Sequence, residues 1–306
     1  MPKGIKKEKE DPKISVTITE KIDEEETTTR KRKTFEELTI QDDYLFKRIM
    51  TEKDICLKFV QIILGIDIKN IVYIKAEEVV KELYDSKGIR LDVYLKGDDG
   101  IVYNIEMQMT SLKEAEFAKR FRYYEAMIDS YLLRVGQDYN DLNKLFIVFI
   151  CPFRIFDSKR SIYTFKNFCE EDKSIQLKDD VTKIFITTKS KNKKNLSEDF
   201  QALLKYIDGI KTENSFVNQI EDKIKQIKKD EKERGAYMQY DLHLRDIERE
   251  ARAEGEKLGM ANAIINNIKS LMKNLHMTAE NAIKTLNIPQ EEQSFYLAKL
   301  KPISQN

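Results

Sequence analysis

Apolar residues recur along this chain with two different periods. Residues 42–64 carry Tyr44-Leu45-Phe46, Ile49-Met50, Ile55, Leu57, Phe59-Val60 and Ile63-Leu64. That spacing predicts two amphipathic helices, broken near Thr51 to Lys53 and ended by Gly65. Thr34, with Glu37 three residues on, has the pattern of a capping box, so order is expected to begin there. Residues 71–75 predict a short strand. Residues 89–95 and 101–108 predict two more, joined by the polar, glycine-bearing Lys96-Gly97-Asp98-Asp99-Gly100, a hairpin signal. A helix is expected over 112–133, with Phe117, Phe121, Tyr124, Met127-Ile128 and Tyr131-Leu132 on one side. The unbroken apolar run 145–151, ended by Pro152, predicts a buried central strand. Further strands are expected at 162–165 and 184–188, and a helix around 199–206. This order describes an α/β fold, a mixed sheet flanked by helices.

The flanks differ in character. Residues 1–33 are rich in Lys, Glu and Thr with no sustained period, which predicts a disordered charged leader, its basic run Arg30 to Lys33 solvated. The compact domain is expected over 34–212. From 220 to 257 charges dominate, so 213–258 is expected to be a solvent-exposed helical arm, interrupted by Gly235, Gly255 and Gly259. Helical segments at 264–275, 278–286 and 289–300 make 259–306 a small α-helical extension, compatible with either a helix–turn–helix or a homo-oligomer contact.

Composition narrows the chemistry. Of 306 residues 35% are charged, yet the net charge is only +1, so any affinity for nucleic acid must come from local basic patches or a bound metal. Cys56, Cys151 and Cys169 have no metal-ligand spacing, and with no apolar leader at the N-terminus the chain is expected to be cytoplasmic with reduced thiols. No apolar run is long enough for a membrane span. His243 and His276 stand without catalytic partners, and there is no Gly-rich phosphate loop or nucleophile elbow.

Chemistry concentrates on the hairpin. Ile89, Leu91, Val93 and Leu95 alternate with Arg90, Asp92 and Tyr94. In the partner strand, Ile101, Tyr103, Ile105 and Met107 alternate with Asn104, Glu106 and Gln108. One face is therefore expected to be core, while the other collects Arg90, Asp92, Asn104, Glu106 and Gln108. A turn symmetric about Asp99 sets Asp92 opposite Glu106, with Cβ atoms about 5 Å apart. Two facing carboxylates repel, and a divalent cation between them would remove that cost.

The segment Gly88-Ile-Arg-Leu-Asp92, the hairpin, and Asn104-Ile-Glu106-Met-Gln108 resemble the core of PD-(D/E)XK nucleases in its E-x-Q form. More narrowly they are similar to the PD-(D/E)XK nuclease family of transposases, the recombination-promoting nucleases. The likeness extends from Asp43-Tyr-Leu-Phe-Lys47 through Arg120-Phe-Arg122-Tyr-Tyr124, Asp129, Gly136-Gln-Asp-Tyr139, Leu142 and Ile150-Cys-Pro-Phe153 to Ile162-Tyr-Thr-Phe165, or roughly residues 35 to 190. It implies a restriction-endonuclease-like fold and a Mg²⁺- or Mn²⁺-dependent DNA endonuclease acting in recombination. Asp92, Glu106 and the Met107 carbonyl would be metal ligands, with Asp43 a further acid. Gln108 stands where many relatives carry lysine, and glutamine can only hydrogen-bond. Catalysis is then expected to be slow, with either the metal carrying more of the charge stabilisation or Arg90, Lys119 or Arg120 as the substitute cation. The alternative is a catalytically weak DNA-binding or assembly protein that keeps the fold, and a third possibility is an RNA-directed nuclease. Tyr123 and Tyr124 are expected in the core, and the basic run 189–194 in a solvated loop.

Overall fold

The computed structural model describes residues 32–80, 89–111, 113–157, 159–193 and 195–300. The leader up to residue 31, Gly88, Leu112, Lys194 and the last six residues lie outside that set.

Two amphipathic helices open the fold as their periodicity predicts. Helix α1 (Asp43–Met50) buries Leu45, Phe46, Ile49 and Met50, and α2 (Lys53–Leu64) buries Ile55, Cys56, Phe59, Val60 and Ile63. Gly65 ends α2 at φ 64°, a left-handed position that glycine adopts without strain. Then follow β1 (Ile71–Val80), β2 (Ile89–Gly97), β3 (Val102–Met107), α3 (Glu114–Leu132), β4 (Leu145–Cys151), β5 (Ile162–Phe165), β6 (Val181–Thr187) and α4 (Glu198–Ile207). The strands form one mixed sheet in the order β1-β2-β3-β4-β6-β5, with β3, β4 and β6 parallel and the other pairings antiparallel.

The sheet is covered on both faces. On one, α1, α2 and α4 pack over Val93, Leu95, Ile105, Met107, Val148 and Ile150. On the other, Phe117, Phe121, Tyr124, Met127 and Ile128 of α3 cover Tyr94, Val102, Ile147, Phe149 and Cys151. Alternate residues of β4 thus enter opposite cores, which is why its sequence is apolar without a break. Strand β1 runs five residues past the predicted end, and β6 begins three residues early.

The charged region is less exposed than its composition suggests. In α5 (Ser215–Lys229), Phe216, Val217, Ile220, Ile224 and Ile227 recur at helical spacing and join the first core. The boundary expected at 212 therefore falls between helices α4 and α5 of one core. Arg32 and Lys33, assigned to the leader, are ion-paired, Arg32 with Asp241 at 2.8 Å and Lys33 with Asp42 at 2.7 Å.

Helix α6 (Glu231–Leu275) runs for 45 residues through Gly235, Gly255 and Gly259, which were expected to interrupt it. Each glycine costs about 1 kcal/mol relative to alanine. That cost is spread along a helix held at both ends, against α1 near its start and in a small separate core near its finish. The latter gathers Ile268 with Ala282 and Ile283 of α7 (Ala279–Thr285), Ile288 and Tyr296 of α8 (Gln290–Leu300). Ion pairs such as Arg245–Asp241 and Arg252–Glu256, one turn apart, support the exposed middle. His276 closes α6 in a left-handed conformation at φ 50°. Among the described residues no helix is long and apolar enough to cross a membrane.

A Cβ added at Gly255 meets no atom within 4 Å. Gly255→Ala is therefore expected to stabilise α6 by about 0.5–1 kcal/mol, read as a higher helix-melting temperature by circular dichroism; an unchanged or lower value would mean that the helix bends there.

Candidate active site

The site forms where β2 and β3 part. Their ladder runs from Lys96↔Val102 to Val93↔Ile105, and one more step sets Asp92 opposite Glu106. The turn closes through the Gly100 N–H to the Gly97 carbonyl, with Gly100 at φ 79°. At the fork each carboxylate reaches the other strand's backbone. The Asp92 N–H donates to Glu106 Oε1 at 3.1 Å, and the Met107 N–H donates to Asp92 Oδ2 at 3.0 Å. This reciprocal arrangement fixes both acids.

The expected open polar face is a correction to be made: both sides of the hairpin are covered. Glu106 is 2% exposed and Asn104 fully buried. Strand β2 also changes sides along its length. Val93 and Leu95 lie in the first core, whereas Ile89 and Leu91 lie in the second with Tyr94. The change falls at Asp92, so its carboxylate can meet groups from both faces.

From the first face comes Lys47 of α1, which the sequence reading missed. Its ammonium, on a buried residue, lies 2.8 Å from Asp43 Oδ1 and 3.4 Å from Asp92 Oδ1. Asp43 opens α1 and also accepts from the Tyr240 hydroxyl, with Arg90 Nη2 at 3.7 Å. Arg90 thus reaches Asp43. From the second face comes Arg120 of α3. Its Nη1 donates to Gln108 Oε1 at 2.6 Å and its Nη2 to the Tyr124 hydroxyl at 2.8 Å, while the guanidinium lies over the Phe149 ring at 5.3 Å. Gln108 Nε2 donates to the Thr110 carbonyl at 2.7 Å. Of the three substitute cations considered, Arg120 is the one that touches Gln108, and Lys119 is exposed on α3. Tyr124 is buried as expected, and Lys189 pairs with Asp208 at 3.0 Å.

Burial, more than any imbalance of charge, governs the protonation of Asp92 and Glu106. Burial, then the charge of Asp43, push the Asp92 carboxyl up to about 6 against the pull of Lys47 and the Met107 N–H. Burial and the charge of Asp92 hold Glu106 well above the usual carboxylate range, despite the Asp92 N–H and Arg120. Burial also opposes ionisation of Asp43, but the charge and hydrogen bonds of Lys47, with Tyr240 and Arg90, outweigh it and lower its pKa. Asn104 lies near enough to favour the charged form of Glu106, yet its amide makes no well-formed hydrogen bond among the described residues. Two buried hard carboxylates held side by side, with an unsatisfied amide beside them, fit a divalent cation that keeps several waters. Among the described residues no three His, Cys, Asp or Glu side chains converge as a ready-made cage, so water or backbone would complete such a set.

A family model described as PD-(D/E)XK nuclease family transposase matches residues 40–254. No curated protein and no solved structure matches the chain.

The raised carboxyl groups fix the sign of a pH effect. Folded Asp92 holds its proton to about pH 6, whereas an unfolded aspartate releases it near pH 3.9 (about). The folded state binds more protons across that window, so stability falls as pH rises through it. Asp92→Asn is expected to raise the melting temperature at pH 8 in EDTA, equivalent to roughly 1–3 kcal/mol, and to leave it little changed at pH 4. Equal effects at both pH values would remove the buried-charge account.

Proposed function

Because the chain belongs to the PD-(D/E)XK nuclease family of transposases, we propose that it is a Mg²⁺- or Mn²⁺-dependent DNA endonuclease that hydrolyses phosphodiester bonds during recombination or transposition. The observation that carries this reading is the reciprocal pinning of Asp92 and Glu106 at the β2–β3 fork, where burial disfavours their charged forms. Asp92, Glu106 and the Met107 carbonyl would hold the cation, with Asp43 as a further acid. When bound, such an ion supplies Lewis acidity toward a phosphate oxygen and makes water a better nucleophile.

The chain's own residues supply the rest. Lys47 binds Asp43 and Asp92 together and keeps a positive charge beside them. This charge stands at the site from α1, where many relatives carry it on the strand position of Gln108. Arg120 braces Gln108 from α3 and adds a second charge that favours ionised Glu106. Removal of one preorganised charge of this kind costs on the order of 10²-fold in rate. One observation favours the catalytically weak DNA-binding alternative: both ends of the Gln108 amide are engaged within the protein, by Arg120 and by Thr110.

Purified protein is expected to nick supercoiled plasmid with Mg²⁺ or Mn²⁺. Asp92→Ala and Glu106→Ala should abolish nicking with helix content retained, and Lys47→Met should lower the rate about 10²-fold. DNA binding without cleavage in either metal would support the alternative, and faster cleavage of single-stranded RNA than of DNA would change the substrate.

A further inference from the structure

We propose that Tyr240, near the start of α6, is a positioning residue of the active site, holding the Asp43 carboxylate where it serves a bound divalent cation. This inference rests on the nuclease reading above. Asp43 sits at the first position of α1 with its side chain 36% exposed, so nothing in helical packing alone would stop it from turning to solvent. Lys47 holds it from within α1, at 2.9 Å from Oδ2. The Tyr240 hydroxyl donates to that same Oδ2 from a helix 197 residues further along the chain. Each bond uses a different donor direction, and together they leave the carboxylate little rotational freedom.

The docking of α6 does not depend on this bond. Arg48 Nε pairs with Glu233 Oε1 at 2.7 Å, and the Tyr44 hydroxyl donates to the Glu233 carbonyl at 3.1 Å. Tyr237 stacks on Phe35 at 5.6 Å and meets the Tyr44 ring edge-on at 5.2 Å. The helix is therefore already fixed to α1 by neighbouring groups, and the Tyr240 ring, which packs on Tyr44 at 5.4 Å, is kept in a phenylalanine variant. Asp43, Met109, Tyr237 and Tyr240 line one cavity of about 520 Å³. Phenol and carboxylate thus meet at the wall of an open space that also reaches Met109, just past the end of β3. A second layer of this kind, a neutral donor fixing a ligand carboxylate, commonly changes metal affinity by about 10–100-fold.

The test compares wild type, Tyr240→Phe and Tyr237→Phe by titrating Mg²⁺ alone in isothermal calorimetry and by the Mg²⁺ dependence of plasmid nicking. Tyr240→Phe is expected to raise half-saturation about 10-fold in both, with the melting temperature in EDTA unchanged. Tyr237→Phe loses only a bond to the Lys33 carbonyl and should stay within about twofold of wild type. Half-saturation unchanged in Tyr240→Phe, or raised equally in both variants, overturns the inference while leaving the nuclease reading standing. A wild-type protein that takes up neither Mg²⁺ nor Mn²⁺ overturns both.

Discussion

Two carboxylates lie side by side in a place where water cannot screen them, each tied to the backbone of the strand that bears the other. Hydrogen bonds from the Asp92 and Met107 N–H groups set the positions of the acids. They do not neutralise them, because an N–H donor offers only a partial charge against a full one. Burial of a carboxylate shifts its pKa upward, and here it outweighs Lys47 at Asp92 and Arg120 at Glu106. The pair therefore favours its protonated form, and ionising it calls for added positive charge. The surrounding elements are arranged around that need.

Lys47 and Arg120 answer it from opposite faces of the sheet. A single face could not supply both, since α1 belongs to the first core and α3 to the second. The switch of β2 between cores at Asp92 is what lets one carboxylate address Lys47 while Glu106 feels Arg120. This also accounts for Gln108 without a loss of charge. A lysine on β3 would compete with Arg120 for the same volume, next to Phe149 and Tyr124. Glutamine accepts from Arg120 and lets the arginine carry the charge.

Most of the sheet was legible in the chain because burial on two faces leaves an unmistakable run, as in β4, and because the polar, glycine-bearing stretch that ends at Gly100 holds the turn, although its first residues, Lys96 and Gly97, still belong to β2. Pairing of Asp92 with Glu106 followed from counting residues about that turn. Lys47 was not legible. In an amphipathic helix a lysine reads as solvated, and only the approach of β2 converts it into a buried charge. The two-sided burial of the hairpin was likewise hidden, since Asn104 and Glu106 are polar and periodicity assigns polar residues to water. Helix α5 was misread because its five apolar residues are diluted by lysines and acids on the outer face. Helix α6 was misread because glycine propensity is a local quantity, whereas the helix is fixed by contacts at its two ends.

Two buried acids held close together at a sheet fork need a rigidly packed scaffold around them. Here the support is aromatic. Phe121 meets Phe149 at 4.5 Å and Phe185 at 4.6 Å, and Phe117 packs edge-on against Phe185 at 5.4 Å. Such ring pairs contribute about 0.5–1.5 kcal/mol each beyond the area they bury. They lie on the face from which Arg120 reaches Gln108, so the same rings that stabilise the sheet also fix the guanidinium. The geometry of the acids is thus set from below by packing and from across by the backbone. The ionisable groups keep little freedom except over whether they carry a proton.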